Sequence, residues 1–319
     1  MYSFSSDSVD DLLRGAVELA ISDGVRIQPS KGPARDLVGV QLALANPRTR
    51  LSRTETRGRV FSALGELAWY LSGSNEIDFI RYYLGYYDDL DEGGKAHGGY
   101  GPRLFGDGEQ AGQVRSIVAA LRSSPDTRKA VAQIFDRQDL VGGHKDIPCT
   151  CVLQFLVRNG ALEMITYMRS NDIHKGLPHD FFSFTMLQEL VARSIDAELG
   201  AYHHFVGSLH LYDDDMEAAG QYLSEGWQTS TPMEAMPIGD PWELVSSFLA
   251  AEQHLRLGGE LDATPFTGTA YWDDLIRLLA VYRLTVDGDE TSARDLAGSL
   301  DSTMLRTYAL DRFDRLNRD

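Results

Sequence analysis

Asn159-Gly160 stands between two stretches of alternating apolar and polar residues, Cys149 to Val157 and Ala161 to Met168. Both turn residues tolerate the positive φ of a type I′ turn, so the dipeptide predicts a β-hairpin and makes the two stretches antiparallel neighbours in a sheet. Around that hairpin the chain sets, in fixed order, a proline-flanked cysteine (Ile147, Pro148, Cys149), an Arg-Ser pair (Arg169, Ser170) and a run from Gly176 through Leu177, Pro178 and His179 to Asp180.

Helical and extended patterns alternate around this centre. Ser8 is placed to cap an amphipathic helix carrying Val9, Leu12, Leu13, Ala16, Val17 and Ala20, which stops near Gly24. A strand is expected over 37–45 and a helix over 56–71, the latter with Val60, Leu64, Leu67 and Leu71 on its buried side and Glu66 among them. A carboxylate in that position is either paired near the core or pointed into a cleft. Residues 72–110 are rich in Gly, Tyr and Asp and read as loops that line a pocket rather than form core. A helix over 114–121 and a strand over 129–135 follow. The apolar run 181–197 predicts a central buried helix, and 205–212 a strand with His210 and Tyr212 on one face. After Pro232 the pattern becomes helical, over 242–257, 271–284 and 292–316. The expected organisation is a catalytic core over 1–230 and a helical extension of the same domain over 231–319.

Charge and cysteine usage narrow the function. A net charge of −17 over 319 residues disfavours a general nucleic-acid binder, because affinity for a phosphate polymer needs a basic surface. No run of about 18 apolar residues is present, nor a basic-then-apolar leader, so neither a membrane span nor secretion is expected, and the expected location is cytoplasmic. The densest basic run, Arg48, Arg50, Arg53, Arg57 and Arg59, reads as a solvated face. Cys149 and Cys151 are too close for an unstrained disulfide and too few for a four-ligand zinc site, and no metal is expected. A thiolate nucleophile or an inert buried thiol remain for Cys149.

Taken together the motifs resemble the thymidylate synthase superfamily over roughly residues 10–224. The resemblance rests on Pro148, Cys149, Gln154 and Phe155; on Arg169, Ser170, Asp172, Gly176, Leu177 and Pro178; on His210 and Tyr212; and on Glu66, Leu67 and Trp69. It implies an α/β fold with a mixed sheet packed against helices, and a homodimer with sheets back to back. In it Arg35, Arg169 and Ser170 would hold a nucleotide phosphate in cis, and Arg128 and Lys129 would reach across from the other subunit. It further implies that Cys149 adds to C6 of a pyrimidine, with the surrounding cations favouring its thiolate. C5 then becomes nucleophilic toward the methylene carbon of 5,10-methylenetetrahydrofolate, the co-substrate. Glu66 would organise water and move protons, His210 and Tyr212 would contact the sugar, Gln154 and Asp180 the base, and Asp172, Glu66, Tyr86 and Tyr87 the folate.

Two departures from the family pattern, one at the base and one in the folate region, point to hydroxymethylation of a cytosine. The base-reading asparagine of thymidylate synthases is Asp180 here. Cytosine offers an amino donor and an unprotonated N3, which a carboxyl group sharing a proton can match, although Asp180 would also serve as N-cap of the 181–197 helix. The tryptophan that helps direct hydride transfer has no clear counterpart, Tyr86 or Tyr87 falling nearest, and Thr150 replaces the histidine after the nucleophile. The closing C-terminal tail is not recognisable before Asn317, Arg318 and Asp319. Without hydride transfer, water captures the exocyclic methylene. The expected substrate is CMP, as in the CMP hydroxymethylases of nucleoside-antibiotic pathways such as mildiomycin biosynthesis, with dCMP hydroxymethylation or thymidylate synthesis from dUMP as alternatives.

Overall fold

The computed structural model describes residues 2–52, 59–106, 112–264 and 266–316, without the side chains of residues 263 and 314–316. Among these residues a seven-stranded mixed sheet is the organising element. Its strands are β1 (Tyr2–Ser6), β2 (Val25–Ile27), β3 (Ala34–Leu44), β4 (Val131–Gln133), β5 (Thr150–Arg158), β6 (Ala161–Asp172) and β7 (Glu198–Tyr212), in the order β1-β3-β7-β6-β5-β4 with β2 beside β3. β1 is parallel to β3 and β6 to β7, whereas β3–β7, β5–β6 and β4–β5 are antiparallel. The predicted hairpin is present: Asn159 and Gly160 carry φ of 51° and 81° between β5 and β6.

The helices are α1 (Val9–Asp23), α2 (Val60–Leu71), α3 (Ile77–Ile80), α4 (Tyr100–Phe105), α5 (Gln113–Ser123), α6 (Gly176–Ser194), α7 (Met216–Ser224), α8 (Trp242–Arg256), α9 (Ala270–Val286), α10 (Glu290–Gly298) and α11 (Thr303–Leu316). Ser8 caps α1 as expected, accepting the Asp10 N–H at 3.2 Å. α6 is buried along nearly its whole length and packs on β6, β7 and α2, which makes it the central helix. No helix among the described residues is long and apolar enough to cross a membrane.

Strand polarity brings the chemistry together. β6 and β7 run in parallel and finish side by side, with Ser170 opposite Ser208 and Asp172 opposite His210. β5 runs the other way, so its start lies beside the end of β6, where Arg169 N–H donates to the Cys149 carbonyl at 2.8 Å. α6 begins immediately beyond β6. Residues far apart in sequence are thereby gathered at one end of the sheet.

Several expectations require correction. β1 was not legible in the polar N-terminus; it is held by five parallel pairs with β3, from Tyr2↔Val40 to Ser6↔Leu44. The expected 292–316 helix is two helices, because Asp274 accepts the backbone N–H groups of Asp301 and Ser302 and breaks the helix there. Segment 72–110 is not merely a loop region: Tyr83, Tyr87 and Tyr100 are core residues. The basic run is not a solvated face either, since Arg50 is fully buried, and it and Arg48 both pair with the buried Glu189. Arg53 and Arg57 lie outside the described residues, as do Asn317 to Asp319.

The helices of the C-terminal segment are fastened to the rest by specific polar contacts. Tyr83 Oη donates to Glu252, Tyr282 Oη to the Tyr82 carbonyl and Tyr308 Oη to the Leu51 carbonyl.

Candidate active site

Cys149 sits in the bend immediately before β5. A bulge between Thr150 and Val152 shifts the strand register there, placing Thr150 in the core and leaving Cys149 and Cys151 half-buried and unpaired. Arg169 organises the bend: Nε donates to the Pro148 carbonyl at 2.9 Å, Nη2 to that of Ile147 at 2.7 Å, and Nη2 also lies 3.7 Å from Cys149 Sγ. Local cations act on the Cys149 thiol in the direction expected, but burial outweighs them. Burial pushes the Cys149 thiol up, and Asp180 and Asp146 add to this against the pull of Arg169 and Lys31. Lys31, between β2 and β3, was missed in the sequence because a lone lysine in a Pro/Gly-rich loop carries no spacing signal.

Asp180 does not cap its helix. α6 begins at Gly176, so Asp180 is already inside the second turn and its carboxyl projects from the helix. It is buried, and its pKa is raised well above the ordinary carboxylate range, first by burial and then by the neighbouring Glu66. Asn171 on β6 donates through Nδ2 to Asp180 Oδ2 at 2.6 Å. The preceding His179 ties α6 to α2, its Nε2 lying 2.9 Å from Ser62 Oγ.

Glu66 on α2 is buried and accepts the Tyr87 hydroxyl at 3.0 Å. Burial raises its pKa to about 7, with hydrogen bonds from Tyr87 and Tyr70 partly compensating. Two carboxyl groups, Glu66 and Asp180, therefore share one interior region and hold their protons far above the usual range. Tyr100 completes the wall: its hydroxyl accepts both the backbone N–H (3.2 Å) and the hydroxyl (3.0 Å) of Thr150, next to Cys149. Tyr100 carried no sequence signal beyond its place in a tyrosine-rich segment.

The remaining site residues divide by position. His210 and Tyr212 lie at the end of β7 with rings edge to face, 4.9 Å apart, and Tyr212 is close enough to Cys149 and Asp172 for both to raise its pKa after burial. Ser170 is beside them on β6, half-buried. Asp172 Oδ1 accepts the N–H groups of His174 (2.7 Å) and Lys175 (3.1 Å), anchoring the turn into α6. Arg35 is turned to α1, donating to the Ile21 carbonyl at 2.8 Å in the last turn, where helix carbonyls lack partners of their own. Arg128 and Lys129 are exposed just before β4, and the Gln154 amide donates to the Arg128 carbonyl at 3.1 Å.

Tyr86 offers a half-exposed ring stacked on buried Tyr87 at 4.6 Å between centroids, and Tyr87 in turn meets Trp69 edge to face at 5.2 Å. An exposed aromatic face backed by the ring that holds Glu66 fits a flat heteroaromatic such as a pteridine. Among the described residues no three His, Cys, Asp or Glu are grouped to hold a metal ion.

A thiol, a guanidinium clamp and two proton-holding carboxyl groups, collected where β5, β6, β7, α2 and α6 meet, define a class. A sequence model of the thymidylate synthase family matches residues 40–240, and the chain belongs to that family. More particularly, it is similar to a deoxyuridylate hydroxymethyltransferase of Bacillus phage SP01, with 30% identity over 234 residues, or 68% of this chain. The aligned region spans 61% of that relative's length.

Proposed function

We propose that the chain is a one-carbon transferase that hydroxymethylates C5 of CMP, giving 5-hydroxymethyl-CMP and tetrahydrofolate, like the CMP hydroxymethylases of nucleoside-antibiotic pathways such as mildiomycin biosynthesis. The observation that carries this reading is Asp180, buried, next to Glu66 and held above the ordinary carboxylate range. A carboxyl that keeps its proton at neutral pH presents both a donor and an acceptor, which complement N3 and the 4-amino group of cytosine when the proton lies on the oxygen that faces N3.

The chain's residues then take the following parts. Arg169 and Ser170 hold the phosphate, with Arg128 and Lys129 supplied across a homodimer. The negative charge of that phosphate does not itself favour a thiolate, so ionisation of Cys149 relies on Arg169 at the bend and on the charge of Lys31 between β2 and β3. The thiolate adds to C6 of the pyrimidine and moves electron density to C5. His210 and Tyr212 contact the sugar. Glu66, with a pKa of about 7, is poised to exchange protons with the base and with water at neutral pH. Tyr86, Tyr87 and Asp172 would hold methylenetetrahydrofolate, which when bound supplies a one-carbon unit at the oxidation level of formaldehyde.

A second reading, hydroxymethylation of dUMP, is favoured by the likeness to the phage deoxyuridylate hydroxymethyltransferase. The test is tritium release from C5-labelled CMP, dCMP, UMP and dUMP with methylenetetrahydrofolate, with products weighed. Release from CMP with gain of one CH₂O unit supports the proposal. Release confined to dCMP or dUMP transfers the same chemistry to the alternative substrate, and methylated dUMP with dihydrofolate would make the chain a thymidylate synthase. Asp180→Asn is expected to move activity toward uracil nucleotides.

A further inference from the structure

A neutral carboxylic acid is by itself an ambiguous reader of pyrimidines. With its proton on one oxygen it donates to N3 and accepts from the 4-amino group of cytosine; with the proton on the other it donates to the 4-oxo group and accepts from N3–H of uracil. The two states differ only in which oxygen carries the hydrogen. A site that relies on such an acid therefore needs something to hold the proton in place.

We propose that Asn171 is the positioning residue that does so: by donating its Nδ2–H to Asp180 Oδ2 it confines the Asp180 proton to Oδ1 and thereby sets which pyrimidine the site accepts. The inference rests on the reading of Asp180 as the base-contacting group. Asn171 is buried on β6 between Ser170 and Asp172, and the Nδ2 to Oδ2 distance is 2.6 Å. Its other Nδ2 contact is Met168 Sδ at 2.8 Å, a weak acceptor that leaves the amide aimed at the carboxyl. Asn171 Oδ1 is buried and has no hydrogen-bond partner among the described residues. A side chain chosen only to fill this space would be apolar, because an unpaired buried acceptor is unfavourable. An oxygen already accepting one hydrogen bond is the poorer place for the acid's own proton, so the hydroxyl is directed to Oδ1. The burial that keeps Asp180 protonated is what makes the choice of oxygen matter.

The test compares the full chain with Asn171→Ala, which removes the donor, Asn171→Ser, which keeps a short one, and Asp180→Asn. The measured quantity is the ratio of kcat/KM for CMP over UMP, and for dCMP over dUMP, from C5 tritium release. The expected result is a one-sided ratio in the wild type that falls at least about tenfold toward unity in Asn171→Ala and less in Asn171→Ser. Parallel loss on both bases with an unchanged ratio, or failure of both Asn171 variants to fold, would show a structural residue and overturn the proposal. If Asp180→Asn shifts the ratio and the Asn171 variants do not, only this inference falls. If Asp180→Asn also leaves the ratio unchanged, the base-reading role of Asp180 falls and takes this inference with it.

Discussion

At the scale of single residues, the site is governed by what burial does to titratable groups. Glu66 has its pKa raised from 4.5 to about 7, so the folded chain holds a proton that the unfolded chain releases across this interval. The stabilising effect of that proton is complete below about pH 4.5 and is lost as pH rises through about 7. Glu66→Gln is neutral at every pH and escapes the loss. Denaturant unfolding should show the variant gaining on the wild type between pH 5 and pH 8, by at most ~3 kcal/mol, and a constant difference would contradict burial as the cause. Cys149 is expected to react with iodoacetamide along a pH profile displaced above that of an ordinary cysteine. Arg169→Ala should displace it further, because the pull of the guanidinium disappears.

At the scale of elements, α2 and the tyrosine-rich segment after it are fitted to each other. Gly65 lies in the middle of α2, where glycine is unfavourable by about 1 kcal/mol relative to alanine. A methyl group there would overlap the Tyr83 ring, and Tyr83 carries the hydrogen bond to Glu252 of α8. Gly65→Ala should therefore destabilise by about 1–3 kcal/mol instead of stabilising, measurable as a lower midpoint in urea. The strands around the site were easier to read than this contact. Asn159-Gly160 marks its hairpin through the φ values it permits, and the alternation on either side marks β5 and β6. The short β1 and β2 carry too little alternation to announce themselves, and exist because β3 offers them an open edge.

At the scale of the whole molecule, Glu189 joins three parts of the chain. Its carboxylate accepts Arg48 and Arg50 from the segment after β3, at 3.0 and 2.5 Å, and the Met236 N–H from the stretch before α8, at 3.0 Å. Arg50 is entirely buried, so removing the carboxylate leaves an unpaired interior charge. Glu189→Ala should cost about 3–5 kcal/mol, whereas the double variant Arg50→Met with Glu189→Leu should recover much of that loss. Thermal unfolding of the three chains checks both outcomes. Equal loss in the single and double variants would show that the pair supplies net attraction rather than merely mutual compensation.

Local chemistry is written in short runs of sequence, and such runs were sufficient for the hairpin, the Ser8 cap, the long buried α6 and the ordered motifs from Cys149 through Asp180 to Tyr212. Each depends on backbone preference, periodicity or near-neighbour spacing, which act within a few residues. The start of α6 was misread by five residues because Gly176 and Pro178 look like a turn, while in three dimensions Asp172 anchors the first backbone N–H groups beyond β6. Depth is a property of the packed molecule. It is why the protonation of Glu66 and Asp180, the raised Cys149 thiol, the proximity of Lys31 and the pairing of half-buried Arg48 and buried Arg50 with Glu189 emerge only when distant elements close around them. Desolvation and Coulomb interaction depend on distance through space, and the chain carries that distance only once it has folded.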